Sequence, residues 1–211
     1  MQPIDFKSLG LQPYGEVLAL QRRLQSERQA GLIPDTLLTL EHPKVITRGR
    51  RDSGGDFLLS PELLQARGFA IEDAGRGGRL TYHGPGQLVA YFIFNLAERR
   101  LSIPNFVRQI QDCVISTLRD YGLESECQKE NPGVWIGKKK IASLGLAVSK
   151  DVTMHGVALN LSTDLEDFKF IIPCGLKGYE MTSLAKEKGK APGIREAEQV
   201  FWENARKTWC S

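Results

Sequence analysis

The fold class the sequence predicts is α/β in the broad α+β sense: a mixed β-sheet with helices packed against it. Three features predict it. Helical periodicity recurs near both ends and the middle of the chain, and the run "QLVAYFIFNL" is apolar almost throughout, as in a strand covered on both faces. From Gly133 onward, short strand-like blocks follow one another without helices between them, which argues against a run of βαβ units. With 211 residues, 41% apolar and 25% charged, and no linker or low-complexity tract, residues 1–211 read as a single domain.

In order along the chain, "YGEVLALQRRLQSERQAG" sets Tyr14, Val17, Leu20 and Leu24 at helical intervals, with Leu18 and Gln21 flanking them. Gly31 supplies the stop. "DTLLTLEHPKVIT" is a β-branched apolar run broken at His42-Pro43, a buried strand leading into a loop. "SPELLQARGFAIEDAG" offers Ser60 as N-cap, Pro61 at the first helical position and Gly68 as terminator, then a strand around Phe69 to Glu72. "SIPNFVRQIQDCVISTLRDYGL" places Val107, Ile110, Val114, Leu118 and Tyr121 on one helical face, closed by Gly122. "GVWIG", "KKIASLGLAVS" and "VTMHGVALNLS" read as strands, the first two joined through a turn at Gly137-Lys138. A helix from about Arg195 to Thr208 ends the chain.

Several function classes are disfavoured. The N-terminal stretch has no basic n-region and apolar core of a secretory signal, and no stretch reaches the ~18 apolar residues of a membrane span. A soluble, cytoplasmic protein with reduced thiols is expected. The four cysteines, Cys113, Cys127, Cys174 and Cys210, contain no C-x-x-C, and His42, His83 and His155 have no metal-site spacing, so no metal is expected. A net charge of +3 without a basic stripe does not suggest nucleic-acid binding.

Three segments carry candidate chemistry. "GRGGRLTYHGPGQ" packs Gly75, Gly77, Gly78, Gly84 and Gly86 around Arg76, Arg79, Tyr82 and His83, and is suited to bring backbone N–H groups close to a ligand. Its alternative is a glycine-rich turn entering a strand. It matches neither a dinucleotide fingerprint nor a P-loop. In "KKKIASLG" the small Ala142, Ser143 and Gly145 leave volume beside a strand. Alternation puts Lys138 and Lys140 on one face and Lys139 on the other, without saying which is inside. Cys174 lies between Pro173 and Gly175, with Gly178 following, a loop-like frame that the other cysteines lack. A lone cysteine is otherwise a small buried hydrophobe.

Together "LLTLEHPKVITRGRR", "RGGRLTYHGPGQ", "GKKKIASLG", "HGVALNLSTDL" and "IIPCGLKGYEMTSLA" resemble the octanoyltransferases of lipoate biosynthesis, over about Leu9 to Lys186. The resemblance implies a fold like the catalytic domain of biotin and lipoate protein ligases. It also implies transfer of an octanoyl group from acyl carrier protein to a lysine of a lipoyl domain, as found in 2-oxoacid dehydrogenase complexes and the glycine cleavage H protein. Cys174 matches the acyl-thioester nucleophile and Lys140 the lysine that serves it. The stretch Arg76, Gly77, Gly78, Arg79, Leu80, Thr81, Tyr82 and His83 matches the substrate-binding loop. Ser143, Leu144 and Gly145, with Gly156, Val157 and Ala158, match the rest of the acyl pocket. No ATP, metal, nucleic acid or membrane is implied, because the acyl group arrives on the carrier's phosphopantetheine arm. One departure stands at Ile46 and Arg48, where the family pattern has an aromatic and an aliphatic.

A thiolate, not a thiol, is the nucleophile. An ammonium about 4 Å away contributes ~4 kcal/mol at an effective dielectric near 20, enough to ionise most of a thiol that is otherwise only a few per cent ionised at neutral pH. Arg48, Arg50, Arg51 and Arg76 are candidates for steering an acidic carrier. Two other readings compete: an ATP-dependent lipoate or biotin ligase, and a silent carrier-binding module in which Cys174 is packing.

Overall fold

The computed structural model describes residues 3–52, 54–128, 131–173 and 178–210. The chain opens with β1 (Ile4–Leu11), crosses through α1 (Tyr14–Gln29) and returns as β2 (Asp35–Glu41) and β3 (Val45–Arg48). After α2 (Pro61–Ala66) come β4 (Ala70–Asp73), β5 (Leu80–His83) and β6 (Gln87–Ile93), then the long α3 (Ile103–Asp120). Four strands follow: β7 (Glu126–Cys127), β8 (Gly133–Ile136), β9 (Lys139–Ser149) and β10 (Val152–Asn160). A 3-10 helix (Leu165–Phe170), β11 (Glu180–Met181), α4 (Leu184–Lys188) and α5 (Ile194–Trp209) complete the order.

Among the described residues the main sheet runs β1-β2-β6-β10-β9-β8-β7, with β11 alongside β9. β1 and β2 are parallel, as are β9 and β11, while the central pairs are antiparallel, so the sheet is mixed. β6 is buried at every residue, as its continuous apolar run predicts. Its two faces serve different layers. Leu88, Ala90 and Phe92 pack with Phe106, Ile110 and Val114 of α3 and Phe201 and Trp209 of α5. Val89, Tyr91 and Ile93 face Tyr14, Val17, Leu18 and Leu24 of α1. The buried stripe of α1 runs through Leu18 and Gln21, leaving Leu20 only partly covered.

Helix ends follow local chemistry. The Ser60 hydroxyl accepts from Leu63 N–H and that of Ser102 from Asn105 N–H, while prolines occupy the first turns of α2 and α3.

A second sheet, β4-β3-β5, stands beside the first around Ile46, Leu64, Phe69, Leu80, Tyr82 and Phe168. Leu80 to His83, expected as loop, form a strand: four residues between glycine-rich flanks do so only because β3 pairs with them. β1 was likewise missed. It is a half-exposed edge strand whose Phe6 stacks on Trp202 of α5 at 4.6 Å, a contact invisible to local pattern. No helix among the described residues is long and apolar enough to cross a membrane.

Candidate active site

A cleft opens on the α1 side of the main sheet. Period-two alternation turns Ser143 and Gly145 of β9, Gly156 and Ala158 of β10, and Val89 and Tyr91 of β6 toward the same face. Register then aligns them in rows: Ser143 lies opposite Ala158, which lies opposite Val89, and Gly145 opposite Gly156, which lies opposite Tyr91. Tyr14 at the start of α1 and Arg76, Thr81 and His83 form the facing wall, with Leu144, His155 and Val157 completing a space of about 410 Å³ measured out to its open mouth. Small residues are needed in this floor. A Cβ on Gly145 would lie 3.1 Å from the Arg76 Cδ, whereas one on Gly156 would run into the Ala90 carbonyl oxygen and stand 2.7 Å from the Phe92 ring, which belongs to the α3 and α5 layer, so Gly156 is required by sheet packing behind the cleft.

The glycine-rich segment is clipped from within. Arg76 is buried, and its guanidinium donates to the Thr47 carbonyl (2.9 Å) and hydroxyl (2.7 Å) and to the carbonyls of Gly77 (3.1 Å) and Arg79 (2.9 Å). Arg76 therefore fixes loop shape and is not presented to solvent as a steering charge. Arg48 is paired with Asp73, while Arg50 and Arg51 are exposed. The Arg79 guanidinium forks onto the Asp56 carboxylate. Gly77 N–H donates to the Leu146 carbonyl at 3.0 Å, and the Gly78 carbonyl accepts from Arg51 N–H. Along β5 alternation divides the predicted loop. Thr81 and His83 face the cleft, whereas Leu80 and Tyr82 enter the second core, where the Tyr82 hydroxyl donates to Asp167 at 2.6 Å. Of the sequence candidates, Arg76, Thr81, His83, Ser143, Leu144, Gly145, Gly156, Val157 and Ala158 converge on one cleft; Gly77, Gly78, Arg79, Leu80 and Tyr82 do not line it.

The lining carries unmatched polarity. Thr81 Oγ1, Ser143 Oγ and His155 Nε2 are buried and have no hydrogen-bond partner among the described residues, which is costly unless a further group, a ligand or water completes them. All three histidines of the chain gather beside the cleft with Tyr14 and Tyr91: His42 and His83 lie 5.8 Å apart between ring centres, and Tyr91 and His155 6.0 Å. Burial lowers each from the usual histidine value. His42 falls to about 4, partly opposed by its bond with the Gln12 carbonyl. His83 falls to about 3, with His42 adding to the effect, and His155 to about 4, with Arg76 adding. Burial also pushes the Tyr14 phenol up to about 12, with Arg76 opposing. The site is thus lined by neutral rings at neutral pH.

Lys140 is the buried member of the lysine triplet: 3% exposed, against an exposed Lys138 in the turn and a Lys139 paired outward to Glu187 at 2.9 Å. It lies three residues along β9 from Ser143, with Nζ 5.2 Å from the centre of the Trp135 ring. Gly133 makes room for it. At φ +145° this residue adopts a backbone that L side chains rarely take, and a Cβ there would sit 2.5 Å from Lys140 Cε. Cys174 and Gly175 lie outside the described residues. Their described neighbours are placed: Ile172 N–H donates to the Asp56 carbonyl at 2.7 Å, and Glu180 and Met181 pair with Lys139 and Lys140. Sequence reasoning missed Tyr14, Val89, Tyr91 and His155 as lining residues, and Gly133 and Trp135 as the cradle of Lys140. Tyr14 and Val89 carry only a core signal, and nothing local marks Gly133 as spatially opposite a lysine.

Solved structures with this fold include lipoate and biotin protein ligases. The chain superposes on P. falciparum LipL1 in complex with lipoate with a TM-score of 0.80 at 14% identity, spanning 98% of this chain and 62% of that one. Against the biotin protein ligase of Aquifex aeolicus the TM-score is 0.56 at 14% identity, over 100% and 70% of the two chains. Sequence comparison is sharper. Residues 13–205 match the lipoyl protein ligase A/B catalytic domain. Curated relatives include the octanoyltransferase of Syntrophobacter fumaroxidans, 45% identical over 87% of this chain and 80% of the relative, and that of Chloroflexus aurantiacus (strain J-10-fl), 43% identical over 94% and 91%. The chain belongs to the lipoyl protein ligase A/B catalytic domain family, on its octanoyltransferase branch.

Proposed function

We propose that this protein transfers an octanoyl group from acyl carrier protein to a lysine of a lipoyl domain through a thioester on Cys174. The observation that carries the reading is Lys140, a buried lysine on the strand that also supplies Ser143 and Gly145 to the cleft floor. The described residues flanking Cys174 support it, because one flank is tied to Asp56 and the other pairs with Lys139 and Lys140.

In the first half-reaction Cys174 sulfur bonds the acyl carbon and the carrier's carbon–sulfur bond breaks; Lys140 takes the Cys174 proton and returns it to the departing thiol. In the second, the acceptor amine bonds the acyl carbon, Cys174 leaves, and Lys140 moves one amine proton to the Cys174 sulfur. Conversion of thioester to amide is downhill, so neither ATP nor metal is required. Burying the roughly seven methylene and methyl groups of an octanoyl tail offers ~5–6 kcal/mol, while each methylene discriminates by only ~1–3 kcal/mol. Neighbouring chain lengths are then poorer substrates, not excluded ones.

The discriminating assay compares donors. Octanoyl carrier protein without ATP should octanoylate a lipoyl domain, and free octanoate with ATP should not; the reverse pattern would make the protein a ligase.

A further inference from the structure

A directional hydrogen-bond chain joins the glycine-rich segment to the backbone of Lys140, and its polarity is fixed at both ends by carbonyls that can only accept. At one end Asn160 Nδ2 donates to the Thr182 carbonyl at 3.0 Å, and Thr182 N–H in turn donates to the Lys140 carbonyl at 2.9 Å. Asn160 Oδ1 is therefore the acceptor for Gln87 Nε2 at 2.9 Å. That same amide nitrogen also reaches the Tyr82 carbonyl at 3.3 Å. Gln87 Oε1 is left to face His83 Nδ1 at 2.7 Å, so Nδ1 must carry the hydrogen.

One consequence follows for the cleft. His83 lines it, is 6% exposed, and holds the Nδ1–H tautomer, so Nε2 is a bare acceptor; no hydrogen bond to Nε2 is present among the described residues. Every member of the relay is buried: Gln87 is 2% exposed, Asn160 1% and Thr182 0%. A buried amide pair in a sheet core is retained at some desolvation expense, and here it does one thing that apolar residues could not, which is to choose a tautomer.

Building on the proposed transfer reaction, we infer that His83 Nε2 accepts a hydrogen bond from the incoming lysine amine, with Gln87 and Asn160 as positioning residues that keep that nitrogen unprotonated. A neutral primary amine brings two N–H groups. One proton leaves for Lys140 and ends on the Cys174 sulfur; the other stays in the amide product. His83 holds the one that stays, which turns the nitrogen lone pair toward the acyl carbon. The depressed basicity of His83 suits this role, since a stronger base would take the proton outright. Because the amine enters only in the second half-reaction, His83 separates the two halves.

The test has two arms. In the first, ¹⁵N NMR of the wild-type protein should show a neutral Nδ1–H His83 between pH 5.5 and 8. An Nε2–H tautomer or an imidazolium there would overturn the inference, whatever becomes of any variant. In the second, rapid quench measures acyl-enzyme formation and transfer to a lipoyl domain separately for His83→Phe, Gln87→Leu and His83→Gln. His83 also lines the cleft that takes the acyl chain, so acylation slows as well, but transfer should fall ten- to a hundredfold more than acylation in the first two variants. His83→Gln, which keeps an acceptor oxygen, should recover most of the loss. Equal loss in both halves, or none in transfer, refutes the role. A wild-type enzyme that forms no adduct on Cys174 would instead refute the transfer reading, leaving the tautomer result standing.

Discussion

Moving the pH from 7.5 to 5.5 should destabilise the native state by about 4 kcal/mol, almost all of it through the three buried histidines. In the unfolded chain each titrates near its ordinary value of about 6.5, whereas the folded values are about 4, 3 and 4 for His42, His83 and His155. The fold thus favours the neutral form: its contribution is fully present above pH ~6.5 and is lost as pH falls toward the folded values. At pH 5.5 an unfolded histidine gains RT ln 11, about 1.4 kcal/mol, by binding a proton that the folded ring refuses. Since the chain has no other histidines, the three together set the slope. Against a typical stability of roughly 5–15 kcal/mol the change is large. Urea titrations at half-unit pH steps read it as a falling midpoint with an unchanged m-value. His155→Asn is the matched control, because asparagine tolerates the positive φ of 63° at this position. It should lower the pH dependence by about a third. A midpoint flat between pH 7.5 and 5.5, or a slope unaltered in the variant, would refute neutral burial of the cluster.

Other expectations follow from the same geometry. Gly133→Ala forces a Cβ against Lys140 Cε and should cost about 1–3 kcal/mol in thermal stability while slowing acyl-enzyme formation at least tenfold. Lys140→Met keeps the stem over Trp135 but removes the ammonium; acylation should drop a hundredfold or more at pH 7 and its pH profile should move up toward the ordinary thiol value near 8.5. Gly145→Ala narrows the cleft against Arg76, and competition between acyl carriers should show preference shifting toward chains shorter than octanoyl. Arg50→Glu, at an exposed site, should lower carrier turnover chiefly at low salt, whereas Arg76→Ala strands the Thr47, Gly77 and Arg79 carbonyls and should show its effect in the melting temperature at any salt.

Much of this architecture is readable from the sequence alone because its determinants are local. The caps at Ser60 and Ser102, the apolar run of β6 and the strands after Gly133 carry their structure in short windows of sequence. Of the second sheet only β4 is readable, from the apolar run after Gly68; β3 follows the His42-Pro43 break and β5 takes strand form from its pairing with β3 across a long connection. The cleft was legible in part. Ser143, Gly145, Gly156 and Ala158 stood out as small residues in strands, but only register shows that they share a face with Val89 and Tyr91. Alternation also left open which of Lys138, Lys139 and Lys140 was inside; the hollow at Gly133 decides for Lys140. The role of Gln87 and Asn160 lay beyond reach, as it depends on two carbonyls whose positions only the folded chain provides.

The account turns on a covalent intermediate, so the most direct measurement is the intact mass of the protein after mixing with octanoyl carrier protein in the absence of ATP, followed by peptide mapping. An octanoyl adduct on Cys174, discharged by a lipoyl domain and absent from Cys174→Ala, is the predicted result. No adduct on the wild type during turnover, or a labile thioester that persists in Cys174→Ala, would contradict it.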